Sequence, residues 1–311
     1  MSDLHVVLGA HGNAGRAIVR ELSRQGLPVR AVSRRPEPDI PAGVDWVVAD
    51  LTDTAQATRV YRDARVVYLA AQPLYTRWAE DFPPLIDAVC SGAAGANLVF
   101  VDNAYAYGRV DGPLTEALPA RPASPNGAVR ARMAERLLEH HAKGTLRVAI
   151  GRASDFFGPD VGGSVVGDAF FADVLEGKAP RWLGNLDAPH TLSYIEDVAR
   201  ALVTLGRSEA AWGQTWHLPA ANPVTGREFC RLACLAAGRP VAAAVHGRLA
   251  MTVAGWFSAI VRAVSQELYQ WERPWVLDAS RFMETFGPFT PTPTDLAVGQ
   301  TVAWYRDAWN D

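Results

Sequence analysis

Val6-Val-Leu-Gly9-Ala-His-Gly12-Asn13-Ala14-Gly15-Arg-Ala-Ile-Val-Arg-Glu-Leu22 is the stretch that decides the fold. An apolar run from His5 to Leu8 enters a glycine-spaced turn, and an amphipathic helix carrying Ile18 and Leu22 leaves it, with Leu27 beyond. Gly9 allows the tight turn, Gly12 lets the backbone approach a pyrophosphate, and Gly15 permits close helix-on-strand packing. The N-terminus of such a helix, at Asn13 and Ala14, offers free N–H groups and the positive end of its dipole. The stretch therefore predicts a dinucleotide site. An ordinary strand–turn–helix with convenient glycines is the plainer alternative, and the apolar flanks are what make the dinucleotide reading specific.

The next strand bears on which dinucleotide. Val29-Arg-Ala-Val-Ser33-Arg34-Arg35 ends where an NAD-selective site would place an acid for the ribose 2′-OH. Here Ser33 is followed by two guanidinium groups, so NADP(H) is expected over NAD(H), unless Arg34 and Arg35 form only a solvated loop. In Val47-Val-Ala-Asp50-Leu51-Thr-Asp53 a third strand ends with Asp50 placed for the adenine amino group, beside Leu51. Helix capping is an alternative for Asp50 and Asp53 that can coexist with binding.

Further along, Ala64 to Ala71 reads as a buried parallel strand whose end, Ala70 and Ala71, joins the cofactor set. A helix is expected around Pro84 to Ala94, a fifth strand at Asn97 to Val101, a helix from Ala128 to His141, and a sixth strand at Leu146 to Ile150. This alternation specifies an α/β fold, a doubly wound parallel sheet. Past Gly158-Pro159 the pattern changes to a helix near Ser164 to Glu176, scattered short elements and a last helix from Asp295 to Trp309. The expected division is a nucleotide-binding unit over 1–158 and a smaller substrate lobe over 159–311, with segments near 190–220 returning to the first unit.

With 311 residues, 49% of them apolar, the chain can bury a full core and an appended lobe. A net charge of −3 with scattered Lys and Arg speaks against nucleic acid. The longest uncharged apolar run, Leu249 to Val261, is too short for a bilayer and is read as a buried or capping helix closed by Arg248 and Arg262. No membrane role is expected, and the lack of a signal-peptide pattern makes the cytoplasm the expected location. Cys90, Cys230 and Cys234 have no metal-ligand spacing, so no metal is expected and core packing is their reading.

Taken in order, the glycine turn, Val101-Asp-Asn-Ala-Tyr-Ala-Tyr107-Gly108, Arg152-Ala-Ser-Asp155-Phe-Phe-Gly158-Pro159 and His190-Thr-Leu-Ser-Tyr-Ile-Glu-Asp197 resemble the extended short-chain dehydrogenase/reductase family. The likeness is closest to its NAD(P)-dependent epimerase/dehydratase-like branch and runs through Arg273 to Asp278 and Thr301 to Arg306. It implies a Rossmann fold and a homodimer paired through helices near Pro83 and Ala128. It also implies chemistry resting on a Tyr-x-x-x-Lys pair and a Ser or Thr, and all three positions depart. Asn126 stands for the Tyr, Arg130 for the Lys and Asn103 for the hydroxyl residue. An amide cannot shuttle a proton near neutral pH, and Arg stays charged, though Arg130 can still hold a ribose or a substrate anion.

Replacement candidates lie where open α/β sheets bind ligands, just past the carboxyl ends of the strands. Tyr105 is the foremost relocated acid or base, with Asn103, Asp155 and Arg130 as further catalytic candidates. Tyr107 matches a family position beside the substrate. Tyr75 and Trp78, in a ligand-side loop with Arg77, join Asn126 and His190 as substrate candidates. Trp182, Trp256, Tyr269, Trp271 and Trp275 are read as lining an apolar pocket in the second lobe or packing its core. The leading expectation is an NADP(H)-dependent oxidoreductase on a small, fairly apolar metabolite. The alternatives are an isomerase, cyclase or dehydratase that keeps its NADP, and a nucleotide-sensing protein without catalysis.

Overall fold

The computed structural model describes residues 3–37, 40–93 and 95–309. Its first half alternates β1 Leu4–Leu8, α1 Asn13–Arg24, β2 Val29–Ser33, β3 Val44–Val48, α2 Thr54–Val60, β4 Ala64–Leu69, α3 Trp78–Gly92, β5 Asn97–Asn103, α4 Pro125–Ala142 and β6 Arg147–Ala153. Next come β7 Asp155–Phe157, α5 Asp168–Leu175, β8 Arg181–Leu183, β9 Pro189–His190, β10 Leu192–Tyr194, α6 Ile195–Arg207 and β11 Gln214–His217. The remainder holds β12 Val224–Thr225, α7 Gly226–Ala236, β13 Ala244–His246, α8 Arg248–Phe257, α9 Ala259–Ser265, α10 Ser280–Phe286 and α11 Thr294–Ala308.

Seven strands form one parallel sheet in the order β11-β6-β5-β4-β1-β2-β3. The chain runs outward from β1 through β2 to β3, then restarts at β4 on the other side of β1, so β1 and β4 flank the switch point where such sheets open a crevice. Alternate residues along each strand feed opposite cores, as the period of two demands. Val7, Ala31, Val66, Tyr68 and Val99 pack against α1 and α6. Val6, Leu8, Val67, Leu69 and Phe100 pack against α2, α3 and α4. A third core, around Phe157, Phe170, Trp182, Phe229, Trp271 and Tyr305, fills the later part of the chain.

Several elements differ from expectation for identifiable reasons. α4 begins at Pro125, earlier than the apolar periodicity indicates, because Ser124 caps it by accepting from the Gly127 N–H and Pro125 fits the first turn. α3 begins at Trp78 and carries Pro83 and Pro84 inside it. The expected burial of Leu249 to Val261 is corrected: Ser258 splits the run into α8 and α9, whose Leu249, Trp256, Phe257 and Ile260 side chains are exposed. Trp256, at 72% exposure, therefore lines no pocket. No helix among the described residues is long and apolar enough to cross a membrane. Among them, no group of three or more His, Cys, Asp or Glu side chains is placed to hold a metal.

Candidate functional site

At the end of β1, Gly9 adopts φ +77°, and a Cβ there would lie 2.4 Å from the Ala71 Cα at the end of β4. The same atom on Gly15 would sit 2.2 Å from the Gly9 carbonyl oxygen, so α1 presses against the turn as closely as backbone allows. Gly12 differs, since its added Cβ would meet only the Gly9 oxygen at 3.4 Å. No side chain caps α1, which leaves its first N–H groups without a side-chain acceptor next to the turn where Gly9 lies against Ala70 and Ala71. These features fit a dinucleotide pyrophosphate. Gly12→Val is expected to leave folding intact while weakening dinucleotide binding roughly 10–100-fold, the equivalent of about 1–3 kcal/mol of steric conflict. Calorimetry on the purified variant checks this, and unchanged affinity would place the nucleotide elsewhere.

At the end of β2 the Ser33 hydroxyl donates to the Arg35 carbonyl, closing a local turn, while Arg34 and Arg35 are exposed. Asp50 accepts from the Thr52 N–H at 3.0 Å and the Thr52 hydroxyl at 2.8 Å. Those bonds, with Arg34 as a lesser contributor, hold the Asp50 carboxyl below its usual range. Asp53 caps α2, and Leu51 is buried. Glu37, just past the end of β2, carries no motif signal in the sequence. Its carboxylate folds back toward the glycine turn, accepting from Arg16 at 2.8 Å and lying 2.9 Å from His11 Nδ1, while Arg16 also donates to Asp160 at 2.9 Å.

Beneath the cleft lies a buried ion cluster. Asp102, 1% exposed on β5, accepts from Arg130 Nε at 2.8 Å through one oxygen and from Arg152 Nε at 2.9 Å through the other. Arg130 also donates to the Val101 carbonyl at 2.6 Å and stacks on Trp78, Phe82 and Phe100. This corrects the expectation for Arg130: its guanidinium is drawn inward by Asp102 and is not open to a ribose or a substrate anion.

Two expected substrate contacts are likewise turned away. Trp78 is 1% exposed, packs edge-on to Tyr75 and Phe82, and donates its indole N–H to the Pro73 carbonyl at 3.2 Å. Tyr107 is 2% exposed, lies under the Arg152 guanidinium and hydrogen-bonds His217 Nε2 at 2.5 Å. Burial pushes His217 down to about 4, so at neutral pH its Nε2 accepts from Tyr107 while Nδ1 donates to the Asp278 carbonyl. Arg77 is exposed and engaged bidentately by Asp81.

What the structure does bring together is a set of polar groups at the carboxyl ends of β4, β5 and β6. Tyr75 follows β4, and Tyr105 stands on the 3₁₀ turn after β5 that Asn103 caps by accepting from the Tyr105 N–H at 3.2 Å. Burial, then neighbouring groups, raises both phenols above their ordinary values. Asn126 donates to the Tyr75 carbonyl at 3.1 Å. Asp155, on β7, bonds His190 Nε2 at 2.9 Å, and the His190 ring stacks on Trp271 at 4.2 Å between centroids. Asp155 also acts electrostatically on Tyr75, Tyr105 and Glu267. Glu267 was not anticipated. It is 4% exposed, accepts from the Ser124 hydroxyl and from the Gln270 amide at 3.2 Å, and is pushed by burial to about 7. Nothing in the local sequence marks it, because its partner Ser124 is 143 residues away.

Comparison with known proteins follows the same lines. The sequence model of the NAD dependent epimerase/dehydratase family matches residues 5–216. No curated protein matches the chain. Among solved structures, UDP-glucuronic acid 4-epimerase from Bacillus cereus, in complex with UDP-glucuronic acid and NAD, is similar at 16% identity and TM-score 0.78, covering 98% of this chain and 99% of that one. UDP-glucose 4-epimerase from Thermotoga maritima, with UDP-glucose, gives 17% identity, TM-score 0.80, and 98% and 99% coverage. That of Thermus thermophilus, in complex with NAD, gives 22%, 0.76, and 98% and 99%.

Proposed function

The chain belongs to the NAD dependent epimerase/dehydratase family, an enzyme family, and from that premise we propose that it is an NADP(H)-dependent oxidoreductase acting on a small, fairly apolar metabolite. The observation that carries this is the pairing of an uncapped helix N-terminus beside Gly12 with half-buried phenols past the ends of β4 and β5. The nucleotide would lie along Gly9, Gly12, Asn13, Ala14 and Gly15, with its adenosine end toward Ser33, Arg34, Arg35, Asp50 and Leu51 and its course passing Ala70 and Ala71. When bound, it supplies a hydride donor or acceptor. Residues 1–158 mainly hold it, and residues 159–311, apart from the segments near 190–220, mainly shape the substrate site. Two copies pair through α3 and α4 in the cytoplasm.

The chain's own groups divide the remaining work. Tyr105, protonated across the physiological range because burial raises it, donates to the substrate oxygen, and Asn103 holds the turn that presents it. Tyr75, Asn126 and Asp155, the last held by the buried His190 ring, contact the rest of the substrate. The aromatic ring of Tyr75 beside this set favours apolar over sugar-like ligands. The decisive experiment is NADPH consumption over a panel of carbonyl compounds. Turnover supports the reading, whereas tight NADPH binding with no turnover on any of them overturns it.

A second reading keeps the nucleotide but has no net redox. It is favoured by loss of the Tyr and Lys and by the likeness to 4-epimerases solved with NAD. Product formation without net NADPH change, abolished by removing the nucleotide, would select it. For cofactor choice, Arg34→Asp is expected to weaken NADP binding roughly 10–100-fold, the scale of a lost charge-assisted hydrogen bond, while NAD binding holds or improves. Titration of both nucleotides by fluorescence checks this, and an unchanged preference would overturn the NADP assignment.

A further inference from the structure

The longest uncharged apolar run of the chain forms α8 and α9, which meet at Ser258 and cross so closely that a Cβ on Gly255 would come 3.2 Å from the Arg262 Cα. The pair is apolar on two sides. Met251, Val261 and Val264 belong to the third core, while Leu249, Val253, Trp256, Phe257 and Ile260 recur at helical spacing and stay exposed among the described residues. Leu249 is 80% and Phe257 86% exposed, and Trp256 and Phe257 stand where α8 gives way to α9. A contiguous apolar surface of this kind marks an interaction site.

Charge selects the partner. From Phe229 to Gln266 the chain has no Asp, Glu or Lys, and its permanent charges are four arginines. Arg231 pairs with Glu228 and Arg248 with Glu272. Arg239 and Arg262 donate only to the Leu175 and Gly255 carbonyls and meet no carboxylate among the described residues. A second copy docked about a two-fold axis would bring two such segments together with no acid for these guanidinium groups. An anionic lipid surface supplies the missing charge, and Trp, Phe and Leu beside Arg are the side chains that seat a helix between headgroups and acyl chains. The run is too short to span a bilayer, but lying in its surface demands no such length.

We propose that the α8–α9 pair docks the protein on an anionic membrane surface, with Trp256 and Phe257 entering the acyl boundary and Arg239 and Arg262 meeting the phosphates. α9 also packs against the 3₁₀ turn Tyr75–Arg77, next to the exposed Leu74, so the docking face adjoins the turn that carries Tyr75 into the candidate site. The substrate class that follows is an apolar carbonyl compound dissolved in the bilayer. That step rests on the reading that the cleft takes a fairly apolar metabolite, whereas the docking does not.

The test is co-sedimentation of the intact protein with vesicles of phosphatidylcholine alone and of equal parts phosphatidylcholine and phosphatidylglycerol. Binding to the mixed vesicles is expected, weakening as salt is raised, with much weaker binding to the neutral ones. Trp256→Ser combined with Phe257→Ser, both at exposed positions, is expected to lower the partition constant at least about tenfold while the urea unfolding midpoint holds. Equal or absent sedimentation with the two vesicle types overturns the docking, as does light scattering that shows the double variant breaking up an oligomer. Turnover of an apolar carbonyl held in mixed vesicles should fall with the partition constant in the double variant, and turnover of a water-soluble one should not. Parallel behaviour of the two substrates overturns delivery from the bilayer. Vesicle binding involves neither nucleotide nor substrate, so retained binding with no NADPH turnover on any carbonyl would instead overturn the oxidoreductase reading.

Discussion

Asp102→Ala is expected to lower the unfolding free energy by about 3–5 kcal/mol, because it strands two buried guanidinium groups that a single carboxylate now pairs with. Arg130 and Arg152 have 4% and 8% of their side-chain surface exposed, too little for water to replace the lost partner. The exposed pair Arg30–Asp45 is the internal control, and Asp45→Ala there should change stability by less than about 1 kcal/mol. Urea unfolding of the three proteins measures both differences. A loss of less than about 1 kcal/mol in Asp102→Ala would mean that the arginines find other partners.

Tyr105→Phe is expected to reduce turnover by roughly 10²-fold or more, the usual scale for a missing general acid. The ring keeps its stacking on Trp78, at 6.3 Å between centroids, so folding and NADPH affinity should hold while kcat and kcat/KM fall together. Steady-state kinetics under saturating cofactor decide the matter. Full activity in this variant would remove Tyr105 from the chemistry and bring Asp155 and His190 forward.

Local patterning made the first half of the fold legible, because the strand–glycine–helix signal and the buried parallel strands are written within a few residues of one another. The starts of α3 and α4 were less so: apolar periodicity marks where a helix buries its face, whereas the Ser124-Pro125 cap marks where it begins. Residues 249–261 misled for another reason. Hydropathy reports composition, and exposure depends on whether the tertiary structure provides a facing surface. Among candidate site residues, Tyr75, Tyr105 and Asp155 follow from positions after strands, Asn126 from the family resemblance, and His190 from a loop before a strand. Arg130 was identified by position too, but its inward pairing depends on Asp102, 28 residues away, whose other oxygen is held by Arg152 across a separation of 50. Long-range partners of this kind leave no local trace, and Glu267 was missed for the same reason.

The Asp102 cluster also bears on descent. A lineage that once carried lysine at position 130 could not return by that change alone, because a single ammonium does not reproduce the guanidinium's simultaneous hold on Asp102 and the Val101 carbonyl. Restoring the phenol at 126 first would be no easier while the amide there is tied to the Tyr75 backbone. The cluster thus ties the identity of residue 130 to its buried partners, so a change there is felt through Asp102 and the Val101 carbonyl before it reaches the cleft.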